Sequence, residues 1–198
     1  MAYSISAAVS RNNDELYTPD IIIEPIVKLI LHRCNLLNIK KPKDLIILCP
    51  FDKQQSGFVR LFSDAGFTVK YGHIDTGQDF FTYDYGHWNI CVSNPPFSKK
   101  LSVFKRLDSL GKPWAMVMNA MALNYQEIIN YFVNNEPEFV FFDKRVSYNG
   151  KQSSFGSCYI CRNLLIDKKV LCYSLLHNNT GINYEPSRLY NNSQVQTK

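Results

Sequence analysis

The chain is expected to fold as an α/β domain: a mostly parallel, twisted sheet flanked by helices, with a strand-rich carboxyl-terminal end. Three observations point there. Short apolar runs rich in β-branched residues alternate with longer stretches whose apolar residues recur at helical spacing. Glycine, proline and asparagine punctuate the junctions. Late in the chain the helical stretches stop and strand-like runs follow one another. Strands that alternate with helices need crossover connections, and those build parallel sheets.

The elements follow in order. Residues 20–37 carry apolar residues at helical spacing, with Asp20 as a cap and Pro25 in the first turns. Residues 44–49 (DLIILC) form the first buried strand. Residues 56–65 read as a helix closed by Gly66, and residues 67–71 as a second strand. Residues 88–93 are a later strand, with Asp79-Phe80-Phe81 between. Residues 101–110 alternate as a helix that stops at Gly111-Lys112-Pro113. Residues 114–118 are a strand and 125–134 a helix. Residues 139–142 and 157–161 are strands around a polar connection, 148–154, and residues 170–176 are the last strand. There is no internal repeat. Residues 1–176 are thus expected to form one domain. Residues 177–198, rich in Asn, Ser, Thr and Tyr, are expected to form a weakly ordered tail.

Bulk composition narrows the class. A chain of 198 residues with 45% hydrophobic and 20% charged residues fits one soluble globular domain. No apolar run approaches the roughly 20 residues that span a bilayer, and the amino terminus lacks a secretory pattern. No membrane association is expected. Six cysteines mostly lie inside apolar runs. Cys158 and Cys161 form a Cys-x-x-Cys pair, but in an alternating strand they point to opposite faces, and no second pair completes a metal site. Reduced thiols in a cytoplasmic protein are expected. The four histidines make no ligand spacing, so no metal is assigned. Residues 1–98 hold 9 Lys/Arg against 10 Asp/Glu, whereas residues 99–198 hold 13 against 7. That asymmetry points to a polyanionic partner met by the second half.

The most informative motif is Asn94-Pro95-Pro96-Phe97, at the carboxyl end of a predicted buried strand. The residue types suit chemistry on an amide or exocyclic amine nitrogen. An exocyclic amine conjugated to a ring is a poor nucleophile, because its lone pair is delocalised. The Asn94 oxygen and the Pro95 carbonyl can accept its two N–H bonds and hold the nitrogen near tetrahedral geometry. Two prolines stiffen the loop and remove two N–H donors. Phe97 offers a face on which an extruded base can stack.

With this motif the chain resembles the Rossmann-like class I DNA adenine (amino) methyltransferases that use S-adenosylmethionine, especially small, phage-borne ones. The resemblance spans about residues 14–176. Leu16-Tyr17-Thr18-Pro19 is similar to the segment that lines the methionine end of the cofactor. Asp79-Phe80-Phe81 resembles the segment beside the cofactor's adenine, and Phe141 to Arg145 with Ser154 to Ser157 the late hairpin bordering the target-base pocket. The departure is at the first strand. Relatives carry an acidic residue, a proline and two or more glycines there, and this chain has Cys49-Pro50-Phe51-Asp52-Lys53-Gln54-Gln55-Ser56-Gly57, with a single glycine.

The resemblance implies methyl transfer from S-adenosylmethionine to the exocyclic amine of adenine in DNA. Asn94, Pro95, Pro96 and Phe97 would be catalytic. Tyr17, Thr18, Pro19, Pro50, Asp52, Asp75, Asp79 and Phe80 would line the cofactor cleft, with Asp52 near the methionine amine and Asp75 on the ribose hydroxyls. Lys99, Lys100, Lys105, Arg106, Lys144 and Arg145 would meet nucleic acid. The expected location is the cytoplasm, that of the host cell if the chain is phage-encoded. Two alternatives stay open: an inactive scaffold that binds a host defence protein or nucleic acid, and a methyltransferase acting on RNA adenine or a protein glutamine. Oligomeric state is not legible in the sequence.

Overall fold

Runs dominated by Ile, Val, Leu, Cys and Met become strands that a sheet buries on both faces. The computed structural model describes residues 18–37, 39–148, 151–152, 156–165 and 168–175. The expected segments Leu16–Tyr17, Ser154–Phe155 and the tail 177–198 lie outside the described residues. The main sheet contains β1 (Ile46–Cys49), β2 (Thr68–Tyr71), β3 (Ile90–Ser93), β4 (Trp114–Asn119) and β5 (Glu138–Phe142). A two-strand ribbon, β6 (Ser147–Tyr148) with β7 (Lys151–Gln152), then precedes β8 (Ser157–Arg162) and β9 (Val170–Tyr173). Among the described residues the helices are α1 (Asp20–Leu36), α2 (Gly57–Asp64), α3 (Lys100–Ser109) and α4 (Gln126–Asn134).

The seven-stranded sheet has the order β2-β1-β3-β4-β8-β5-β9. Every neighbouring pair is parallel except the two made by β8. This is the α/β class with a strand-rich end that the alternation predicts, in the Rossmann-like form that the resemblance implies. The chain runs from β1 outward to β2, then returns to lay β3 on the other side of β1. The order therefore reverses between β1 and β3. In open α/β sheets that reversal leaves a crevice at the carboxyl ends of the strands.

Strand alternation divides the core into two layers. Ile47, Cys49, Ile90, Val92, Ala115 and Val117 pack with Ile22, Ile26 and Ile30 of α1 and Phe58 and Phe62 of α2. Leu48, Cys91, Trp114, Met116 and Met118 pack with Val103, Phe104 and Leu107 of α3 and Ile128 and Phe132 of α4. Cys158 and Cys161 fall in different layers, as the alternation of β8 requires. Five of the six thiols are buried, and Cys172 is exposed.

At the amino-terminal edge of the sheet, Arg162 donates two bonds of 3.0 Å to the Asp108 carboxylate. Trp114 Nε1 donates to Asp108 at 2.9 Å, and Arg162 also donates to the Glu136 and Asn135 carbonyls. This fork ties α3, β4 and β8 together opposite the crevice. Among the described residues no helix is long and apolar enough to cross a membrane.

Several element ends differ from those expected, because their side chains bond elsewhere. Asp20 does not cap α1: Pro19 holds the cap position, and the Asp20 carboxylate pairs with Arg60 of α2 instead. Ser56 is the cap of α2 rather than its first residue, accepting from Val59 N–H at 3.2 Å. The polar connection after β5 contains the β6–β7 ribbon, where no strand was expected.

Candidate active site

Three turns converge at the carboxyl edge. After β1, Pro50 and Asp52 are buried, and Asp52 N–H donates to the Gly72 carbonyl at 2.9 Å, stitching this turn to the end of β2. After β3, Ser93 is fully buried and joins the β1 turn twice. Its Oγ accepts from Phe51 N–H at 3.3 Å, and its hydroxyl donates to the Asp52 carboxylate. The Ser56 hydroxyl gives Asp52 a further hydrogen bond. The turn expected to be glycine-rich is thus held by side-chain hydrogen bonds.

Burial governs the electrostatics here. Asp52 is only 8% exposed, and among the described residues no cation pairs with it. Desolvation pushes its carboxyl up to about 7, while the Ser93 and Ser56 hydroxyls oppose that rise. Burial also raises the Cys49 and Cys91 thiols well above their ordinary range, and the nearby Asp52 charge adds to both.

Asn94 follows Ser93 directly and so sits one residue from the latch between β3 and the β1 turn. Its side-chain oxygen is buried although the residue is only half-buried. Pro95 is buried and Pro96 exposed. Pro96 leads into a 3-10 turn, Phe97–Lys99, that runs into α3. Phe97 is 40% exposed, an uncommon placement for so large an apolar ring.

The other candidates line the β2 side. Asp75 pairs with Lys53 at 2.8 Å and lies 3.3 Å from His73 Nδ1. Asp79 accepts from Phe81 N–H at 3.0 Å, which fixes the turn carrying Phe80. Phe80 is buried and meets Phe51 edge-on, ring centroids 5.0 Å apart. Thr18 is buried beside the start of α2, its carbonyl within 3.3 Å of where a Gly57 Cβ would stand. Its hydroxyl has no hydrogen-bond partner among the described residues. Pro19 follows at the mouth of α1, and Tyr17 lies outside the described residues.

Four residues of this site were not read from the sequence: Ser93, Ser56, Gly72 and Tyr85. Tyr85 OH donates to the Gln78 carbonyl at 2.9 Å, and the Pro50 carbonyl lies 3.4 Å from it. A Cβ on Gly72 would come within 2.6 Å of that hydroxyl, so glycine there admits the ring. A serine ending an otherwise apolar strand, and a serine one place before an apolar helix, were the available signals.

The basic candidates divide. Lys99 lies over the Phe81 ring at 5.6 Å, and Lys100 over Tyr125 at 3.9 Å, both beside the tetrad. Lys105 and Arg106 are further along α3, about 8 Å at 1.5 Å per residue, and Lys105 reaches Tyr131 at 6.0 Å. Lys144 and Arg145 are exposed just after β5. Since β5 is three strands from β3 in the sheet order, they share the tetrad's edge roughly 14 Å away.

No family model and no curated protein matches the chain. Solved structures do. One is a Listeria monocytogenes protein assigned to the class I S-adenosylmethionine-dependent methyltransferases, at TM-score 0.48 and 10% identity, covering 79% of this chain. The chain spans 65% of that structure's length. Another is a release-factor-specific protein-(glutamine-N5) methyltransferase of Alicyclobacillus acidocaldarius, at TM-score 0.33 and 13% identity, covering 73% of this chain and 97% of that one.

Proposed function

We propose that the chain transfers a methyl group from S-adenosylmethionine to the exocyclic amine of adenine in DNA. The observation that carries this reading is the place of Asn94: it directly follows β3 at the carboxyl edge of the sheet, one residue from the Ser93 bond to the β1 turn. An amine acceptor thereby lies beside the crevice where a Rossmann-like sheet takes its ligand.

The residues of the crevice suit this cofactor. Thr18 offers a buried hydroxyl, Asp75 a carboxylate beside Lys53 and His73, and Phe51 with Phe80 an aromatic wall. Asp52, once ionised, would lend negative charge to a bound cation. When bound, the cofactor supplies an electrophilic methyl on a sulfonium.

Asn94 Oδ1 and the Pro95 carbonyl accept the two amine hydrogens and hold the nitrogen for in-line attack. With the cofactor bound, that nitrogen would take the methyl from the sulfonium, leaving a neutral thioether, and would lose one proton to solvent. Phe97, exposed and next to Lys99 and Lys100, stacks on the extruded base while the lysines meet phosphate. The basic excess of residues 99–198 favours nucleic acid over a protein amide.

The test is incubation of the protein with methyl-labelled S-adenosylmethionine and, separately, duplex DNA, RNA and a glutamine-bearing protein. Label recovered as N6-methyladenine from DNA is the expected result. Label only in RNA or protein overturns the substrate, and label in none overturns methyl transfer.

A further inference from the structure

We propose that Asp52 is the counter-charge of the crevice, and that its carboxylate gives up a proton as the cationic cofactor binds. The inference rests on the cofactor reading above and adds a regulation that the tetrad does not imply.

The geometry carries it. Asp52 stands at the carboxyl end of β1, at the point where strand order reverses. Its main chain is fixed by the bond to Gly72 O, and its carboxylate accepts from the Ser93 and Ser56 hydroxyls. Both partners are neutral. A buried carboxylate with only neutral donors is costly to ionise, and an arriving positive charge reverses the balance.

No neighbouring group takes that role first. Lys53, the adjacent cation in sequence, is committed to Asp75 at 2.8 Å, and His73 also faces Asp75. On the sheet side, Cys49 of β1, Cys91 of β3 and Tyr159 of β8 all feel the Asp52 charge, and burial holds all three neutral. Across the mouth, burial pushes the Tyr85 phenol up to about 12. Asp52, at about 7, is the acid of this cluster poised near neutrality.

Proton linkage then fixes the sign. Below about pH 7 the carboxyl must be deprotonated before the cation is held, so affinity rises with pH and levels off above it. Up to one proton is released per ligand bound, and affinity at about pH 8 exceeds that at about pH 6 roughly tenfold. Ser93 tunes the onset, because its hydrogen bond stabilises the anion.

The experiment is calorimetry of the full chain with S-adenosylmethionine and S-adenosylhomocysteine across this pH range, in buffers of different ionisation enthalpy. Proton release and the roughly tenfold rise are expected in the native protein and in His73→Asn. They are lost in Asp52→Asn, and the onset moves to higher pH in Ser93→Ala. Release with both ligands supports the proposal and makes the ammonium the partner. Release only with S-adenosylmethionine supports it and makes the sulfonium the partner. Binding without proton release, or an unchanged pH dependence in Asp52→Asn, overturns the proposal while leaving methyl transfer standing. Should Asp52→Asn not fold, an unchanged onset in Ser93→Ala overturns it. Failure of both ligands to bind at any pH removes the methyl-transfer reading itself.

Discussion

A buried carboxylate held by two serine hydroxyls, with no cation paired to it among the described residues, carries a folding cost. Burial raises the Asp52 carboxyl from 3.8 to about 7 in the fold. At about 1.4 kcal/mol per power of ten in acidity, ionising it there costs on the order of 4 kcal/mol. Because the folded value is the higher one, the protonated form is favoured by folding. Its contribution is fully present below about pH 4 and is lost as pH rises through about 7. Urea midpoints of the ligand-free protein should therefore show a component that declines over that window, and Asp52→Asn should flatten it. An identical slope in both proteins would contradict the burial argument. Phe97 makes a second residue-scale prediction. Its ring is 40% exposed, so Phe97→Ala should leave thermal stability nearly unchanged. It should lower turnover more than DNA affinity, since stacking follows extrusion of the base; equal losses in both would remove the stacking role. Asn94 was legible because its tetrad is local in sequence. Ser93 and Ser56 were not, since each works through Asp52, and the Ser93 bond spans 41 residues of chain.

Helices and strands were read well where one periodicity ran unbroken, as in α3 and β4, and less well where ends depend on caps. Among the described residues, the 3-10 turns at 42–44, 74–76, 97–99 and 120–124 are not legible in the sequence. Each is too short to carry a period. The single glycine of the first turn also has a meaning that sequence did not supply. A Cβ on Gly57 would meet Ile23 Cδ1 at 2.8 Å, so glycine here admits close packing of α1 on α2. Gly57→Ala should destabilise by about 1–3 kcal/mol, the range for overpacking a filled core. Ile23→Val removes the clashing carbon, and the double variant should be less destabilised than the two single effects combined. Denaturant midpoints of the three proteins check this, and strict additivity would place the strain elsewhere.

Across the whole molecule, the sheet order decides the site. Alternating elements predicted a parallel sheet, but no local signal says that β3 returns beside β1 or that β8 runs against its neighbours. That order brings the turn of Pro50 and Asp52 to one edge with Asp75 and Asn94, which are distant from it in sequence. It also separates Lys144 and Arg145 from the tetrad by three strand spacings. The basic surface is therefore expected to act in two parts. DNA affinity should fall with salt by about 0.9 in log–log slope per phosphate neutralised. Charge reversal at Lys99 and Lys100 should reduce that slope and turnover together, whereas reversal at Lys144 and Arg145 should reduce the slope alone. Salt-insensitive binding would remove the phosphate backbone from the account. The claim at its centre is that Asn94 orients an amine for methyl transfer, and single-turnover transfer of labelled methyl to duplex DNA by native and Asn94→Ala proteins tests it most directly. The account predicts a loss of about a hundredfold or more, the scale of one oriented transition-state contact, with calorimetric affinity for S-adenosylmethionine unchanged. Transfer by Asn94→Ala at the native rate would contradict it.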